Sequence, residues 1–126
     1  MKTIVLIVHR IAVAQGFIAR TREFRDIEVI LEPDYTNAEA TIQDHLAQAA
    51  LIEVAEGGEC DIDYCLTLCA RIRETTPDCK LLMMCPESDK QAVEGAVAAK
   101  REGRIDDFVF YDVTLDYLLD SFEILL

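Results

Sequence analysis

Basic residues are scarce in this sequence: 12 lysines and arginines face 24 acids, which sets the formal charge at −12 and the isoelectric point near 4.4. Nucleic acid and anionic membranes both select clusters of Lys and Arg, so direct contact with either is not expected, and a basic or cationic partner is favoured. Long apolar runs are missing too. The run Ile4–Val8 stops at His9 and Arg10, too short for a secretory signal or a membrane span, and the expectation is a cytoplasmic protein. The three prolines and five glycines gather into no linker, and no repeat or low-complexity tract occurs. One domain over residues 1–126 follows, with apolar residues at 52% to close a single core.

Motifs of nucleotide-dependent or hydrolytic enzymes are also absent. Dinucleotide binding needs a glycine-rich turn behind the first strand, where backbone N–H groups approach phosphate. The sequence there is His9-Arg10-Ile11-Ala12-Val13, with no glycine before Gly16. No Walker loop, nucleophile elbow or paired-histidine motif is present, and His45 falls mid-helix among polar neighbours, away from His9. Neither enzymatic activity nor a cofactor is expected. The five cysteines are free thiols by default in a reducing compartment. Cys60, Cys65 and Cys69 follow the spacing C-x4-C-x3-C, without the paired C-x2-C clamp of a typical metal site. A metal-binding or redox-sensing domain built on them, with Cys79 or Cys85, is the alternative functional reading. Buried structural cysteines are the plainer account.

What is present is an alternation of short apolar runs with amphipathic stretches, the pattern of a parallel sheet covered on both faces. Strands are predicted over Thr3–Val8, Ile27–Leu31, Ala50–Ala55, Lys80–Cys85 and Asp107–Tyr111. Helices are predicted over Ala12–Phe24, from a cap at Thr36 or Asn37 to Ala49, over Ile62–Glu74, from a Ser88 cap to Gly103, and behind Leu115. Cys65, Leu66, Cys69 and Ile72 share one helix face; Ala92, Val93, Ala96 and Val97 share another; Leu115, Leu118, Leu119, Phe122 and Leu125 line the last. Glu53 is anomalous, a carboxylate where a doubly covered strand should be apolar: either the strand ends early or Glu53 has a partner. The fold class is α/β, a three-layer, doubly wound, five-stranded parallel sheet of flavodoxin-like type, strand order 2-1-3-4-5. Sheets of this kind bind ligands at the carboxyl ends of their strands.

The stretch Leu66-Thr67-Leu68-Cys69-Ala70-Arg71-Ile72-Arg73-Glu74, the strand closing at Pro86, and Asp107–Tyr111 followed by Leu115–Leu119 together resemble the response-regulator receiver family of two-component signalling. The resemblance covers nearly the whole chain and implies a receiver-like domain. It also implies a phosphorylation pocket: two acids after the first strand and an aspartate ending the third hold Mg²⁺, with a Ser or Thr after the fourth strand and a Lys after the fifth. Every one of these positions departs from the family's pattern. The paired acids are His9 and Arg10, the phosphoacceptor falls on Glu53 or Glu56, Cys85 replaces the hydroxyl, and Tyr111-Asp112 replaces the Lys-Pro pair. A hard divalent ion wants carboxylate oxygens and is repelled by an adjacent guanidinium, so no Mg²⁺ is expected.

The expectation is therefore a non-phosphorylatable pseudo-receiver in which Arg10 pairs with Glu53 or Glu56. It would act through protein–protein interaction or as a homodimer. The resemblance puts the interaction on the last helix-strand-helix face, with Phe108, Phe110, Asp116 and Asp120. From Ile105 to Leu126 the chain carries six acids and no base, which makes that end strongly acidic; a solvated helix face accounts for those acids equally well.

Overall fold

The computed structural model describes residues 1–24 and 26–126. Five strands, β1 (Lys2–Ile7), β2 (Ile27–Leu31), β3 (Ala49–Glu53), β4 (Lys80–Cys85) and β5 (Asp107–Phe110), form one parallel sheet in the order β2-β1-β3-β4-β5. Helices α1 (Ile11–Thr21), α2 (Ala38–Asp44), α3 (Ile62–Thr75), α4 (Lys90–Arg101) and α5 (Leu115–Leu125) connect and follow them. The expected architecture and strand order are those observed.

Alternation along the strands sorts the core into two layers. Val5, Ile7, Ala50, Ile52, Leu81, Met83 and Cys85 pack with α2, α3 and α4. Ile4, Leu6, Ala49, Leu51, Leu82 and Met84 pack with α1 and α5, where Phe17 stacks on Phe122 with ring centroids 5.6 Å apart. The helix stripe containing Cys65, Leu66, Cys69 and Ile72 is buried as expected. In α4 the stripe is Ala92, Ala96 and Ala99, and Val97 turns outward at 37% exposure. Leu115 is likewise an exposed residue at the head of α5 and lies against Gly16 of α1, whereas Leu118, Leu119 and Phe122 carry the burial.

Several element ends differ from the sequence expectation, each for a local reason. Strands β1, β3 and β5 stop one or two residues early, although Val8 and Val54 stay fully buried beyond them. Asp89, not Ser88, caps α4 by accepting the Ala92 N–H. Asn37 occupies the position before α2 without a capping bond to the helix, its side chain donating to Asp34 instead; the cap of that turn is Asp34, which accepts from Thr36 N–H.

Helix α2 ends at Asp44 and not at Ala49. The Ala47 N–H bonds back to Ile42 O and the Leu46 N–H to Gln43 O, while Leu46 takes φ 51°, the pattern of a Schellman cap. His45 therefore sits at the end of the helix, exposed, with Nδ1 2.9 Å from Thr41 O. Glycine usually fills the left-handed position; here it is leucine, and its side chain is 82% exposed. A side chain in that conformation costs about 1–2 kcal/mol, partly offset by the extra freedom glycine has when unfolded. Leu46→Gly is expected to raise stability by about 0.5–1 kcal/mol, read from the midpoint of urea unfolding; a loss of stability would refute this account of the α2 terminus.

Candidate functional site

All five residues of β3 are buried, and the last is Glu53, 1% exposed. A carboxylate so placed must be neutralised and hydrogen-bonded. Its register opposite Met84 turns it towards the α1/α5 layer, under the turn that joins β1 to α1. There Oε1 accepts the His9 N–H at 2.8 Å and the Arg10 N–H at 3.2 Å, and Oε2 accepts Nε–H of Arg10. No side chain of its own caps α1 and no acid stands in its first turn. Glu53, reaching across from another strand, supplies the negative charge that a helix N-terminus favours.

The Arg10 side chain, 39% exposed, closes the arrangement from above. Its guanidinium carbon lies 3.7 Å from the centre of the Tyr111 ring, and Nη2 is 3.4 Å from the Met84 sulfur. Ion pair, cation–π contact and thioether fix one orientation of a side chain that is ordinarily mobile. Two tyrosine hydroxyls secure the backbone beneath it. Tyr35 donates to Glu53 O and Tyr111 donates to Val54 O. Burial, followed by the Glu53 charge, pushes the Tyr111 hydroxyl up to about 12, with Arg10 opposing. Burial pushes Tyr35 up as well. Both phenols thus keep their protons and remain donors. His9 stacks on Tyr35, ring centroids 4.6 Å apart at 18°.

A cleft of about 410 Å³ at this end of the sheet is lined by His9, Arg10, Glu53, Glu56 and Tyr111, among others. Five of the six expected pocket residues therefore come together, in unequal roles. Glu53, not Glu56, ends the strand and takes the guanidinium; Glu56 is exposed on the loop beyond. Cys85 stands apart, because its side chain belongs to the core on the other face of the sheet. Tyr35 and Met84 were not expected. Tyr35 opens a single 3-10 turn, Tyr35–Asn37, with no motif around it, and Met84 looks like any other core residue of an apolar strand.

The residues present do not fit Mg²⁺. The one buried carboxylate spends both oxygens on backbone N–H groups and the guanidinium, and the positions beside it bring imidazole and guanidinium where oxygen ligands are needed. Among the described residues no three His, Cys, Asp or Glu side chains stand together as a metal site. The cysteines offer no substitute. All are free thiols, four of them buried, and burial raises each, Cys69, Cys79 and Cys85 to about 12. Thiols held in that form are poor metal ligands and poor nucleophiles.

On the expected interaction face, Phe108 and Phe110 meet edge-on at 5.9 Å and line a groove of about 520 Å³ with Val113, Tyr117 and the ion-paired Lys100 and Asp107. Asp120 is exposed. Asp116 does not belong to this face: it turns to α1 and takes Nε of Arg20 at 2.8 Å.

No protein-family model and no curated protein matches the sequence. Solved structures do. A response regulator from Thermotoga maritima is 23% identical, with 99% of this chain and 97% of that one covered and a TM-score of 0.73. A CheY-like response regulator receiver domain protein from Methanospirillum hungatei is 16% identical over 98% and 92% of the two chains, TM-score 0.77. The chain has the receiver fold. A response regulator from Burkholderia pseudomallei, solved with a phosphorylated aspartic acid, calcium ion and citrate, is 18% identical over 94% of this chain and 65% of that one, TM-score 0.73. At these identities the likeness is one of fold.

Arg10→Ala leaves Glu53 buried with two backbone donors and no counter-charge, and is expected to cost about 1–3 kcal/mol because Arg10 is partly solvated. A double-mutant cycle with Glu53→Gln, followed by chemical unfolding, should give a coupling energy well above zero; additive effects would show that the pair is idle. The thiols set a second expectation. An unfolded cysteine titrates near about 8.5, whereas folded Cys69, Cys79 and Cys85 titrate at about 12. The folded state retains protons that the unfolded chain gives up. Their contribution is whole below pH about 8.5 and disappears as pH rises through the folded value. Unfolding midpoints against pH should fall over that alkaline interval, and less steeply in a Cys79→Ala, Cys85→Ala variant.

Proposed function

We propose that this chain is a signalling domain of the two-component type that is set by its own side chains instead of by phosphate, and that it works by contact with other proteins and not as an enzyme. One observation carries the reading. The carboxylate that ends β3, one of the two positions that the resemblance allows for the phosphoacceptor, is a glutamate already occupied by Arg10 and by the backbone of the β1–α1 turn. A phosphodonor would have to displace the guanidinium, uncap α1 and find its metal elsewhere. The Burkholderia neighbour bears phosphate on an aspartate; the glutamate here sets its charge one methylene further out.

With that pocket closed, the output surface is fixed. The Phe108–Phe110 groove beside α4 and α5 is the face proposed for a protein partner or a second copy of the chain, with Tyr117 in its wall. Its mixture of aromatic walls and an ion pair suits a partly desolvated protein contact. A net charge of −12 makes a basic partner the favoured one. Among the described residues no helix is long and apolar enough to cross a membrane.

Incubation with acetyl phosphate and Mg²⁺, followed by intact-mass measurement, is expected to give no phosphoryl adduct and no change in solution size. An adduct on Glu53 or Glu56 would overturn the reading.

A further inference from the structure

A second pocket, of about 450 Å³, opens beside the first, between the β1–α1 turn, the loop after β2 and the start of α3. His9 is common to both. Its other walls include Tyr35, Tyr64, Asp34, Glu59 and Cys60. The His9 ring lies on Tyr35, Tyr64 stands 6.3 Å from Tyr35 at 55°, and all three rings line the pocket. The faces of such rings carry partial negative charge and attract cations.

Formal charge at the mouth has the same sign. The Asp34 carboxylate accepts from the Thr36 N–H at 2.9 Å and the Thr36 hydroxyl at 2.6 Å, bonds that hold it below the usual carboxylate range. Glu59 is exposed, and among the described residues it pairs with no base. The Cys60 thiol senses this field: burial pushes it up, and Glu59, Asp61 and Asp34 push it further. No Lys or Arg stands among the residues of the pocket wall, and Arg10 is committed to Glu53 in the adjoining cleft.

We propose that this pocket receives the arginine side chain of a basic protein partner. A guanidinium is planar, stacks on an aromatic face and presents N–H donors to a carboxylate at its edge, which are the three surfaces that Tyr64, His9 and Glu59 provide. A metal ion finds no cage here, since Asp34 is engaged by Thr36 and among the described residues no three His, Cys, Asp or Glu side chains gather as ligands around Glu59. The acidic surface would steer a basic protein to the site. The proposal does not depend on the phosphate-free reading, because neither Tyr64 nor Glu59 takes part in the Arg10–Glu53 contact.

The test is an NMR titration of the full chain with a blocked Gly-Arg-Gly peptide, beside the same peptide with citrulline in place of arginine. Citrulline keeps the shape and loses the charge. Shifts are expected at His9, Tyr35 and Tyr64, with the citrulline peptide binding about threefold or more weaker. Tyr64→Leu, which keeps the apolar bulk and leaves Asp61 to cap α3, and the surface change Glu59→Gln should each weaken the arginine peptide by about the same factor. Equal binding of the two peptides would overturn the proposal, as would shifts centred on Asp120 and Glu123. Binding of ethylguanidinium as tight as that of the peptide would refute a protein source for the group.

Discussion

A carboxylate buried at the end of a central strand has to be satisfied from within, and the carboxyl edge of this sheet is organised by that requirement. Glu53 is reached by two backbone N–H groups and one guanidinium, and these partners fix in turn the entry of α1, the orientation of Arg10 and the placement of Tyr111 beneath it. Desolvating both ions costs several kcal/mol. The cost is offset because donors from the β1–α1 turn are aligned before the side chain arrives, and because Arg10 keeps part of its surface in water. The pair is better regarded as a device of specificity than as a source of stability.

The same geometry leaves the carboxylate that ends β3 engaged on both of its oxygens. Phosphoryl transfer onto a carboxylate needs an oxygen free to attack and a cation free to take up the oxygens of the phosphoryl group. Here the cation is covalently part of the chain, and its contacts with Glu53, Met84 and Tyr111 hold it in place. An arginine that stacks and forks at once is not a mobile counter-ion.

Much of the architecture was legible because binary pattern is strong in a doubly covered sheet: β2 and β4 were found with their observed ends, and the strand order followed from right-handed crossovers. The end of α2 was not, since a leucine takes the left-handed position and no glycine or asparagine marks the stop. Glu53 stands out by the rule it breaks, polarity inside an apolar strand, and adjoining strand ends bring Arg10 to Glu53 or Glu56 without deciding between them, which the structure does in favour of Glu53. Tyr35 is not legible in the sequence, nor is the bond that Tyr111 makes to Val54, because both depend on where a hydroxyl reaches across the sheet, which no local pattern encodes. Cys85 was assigned to the pocket by its position along the chain, but side-chain alternation sends it to the opposite layer. Asp116 lies apart from the groove for a similar reason: it reaches across to Arg20 of α1 while most of its side chain stays in solvent.

The two tyrosine hydroxyls have a mechanical meaning. Tyr35 arrives from the loop behind β2, at one margin of the sheet, and Tyr111 from the end of β5, at the other; they grip the consecutive carbonyls of Glu53 and Val54 in the middle. The rim is thereby laced from side to side, and a displacement beginning at β5 would pull on the central strand and be felt at β2. An event on the Phe108–Phe110 side and an event beside Tyr64 would then share one taut element.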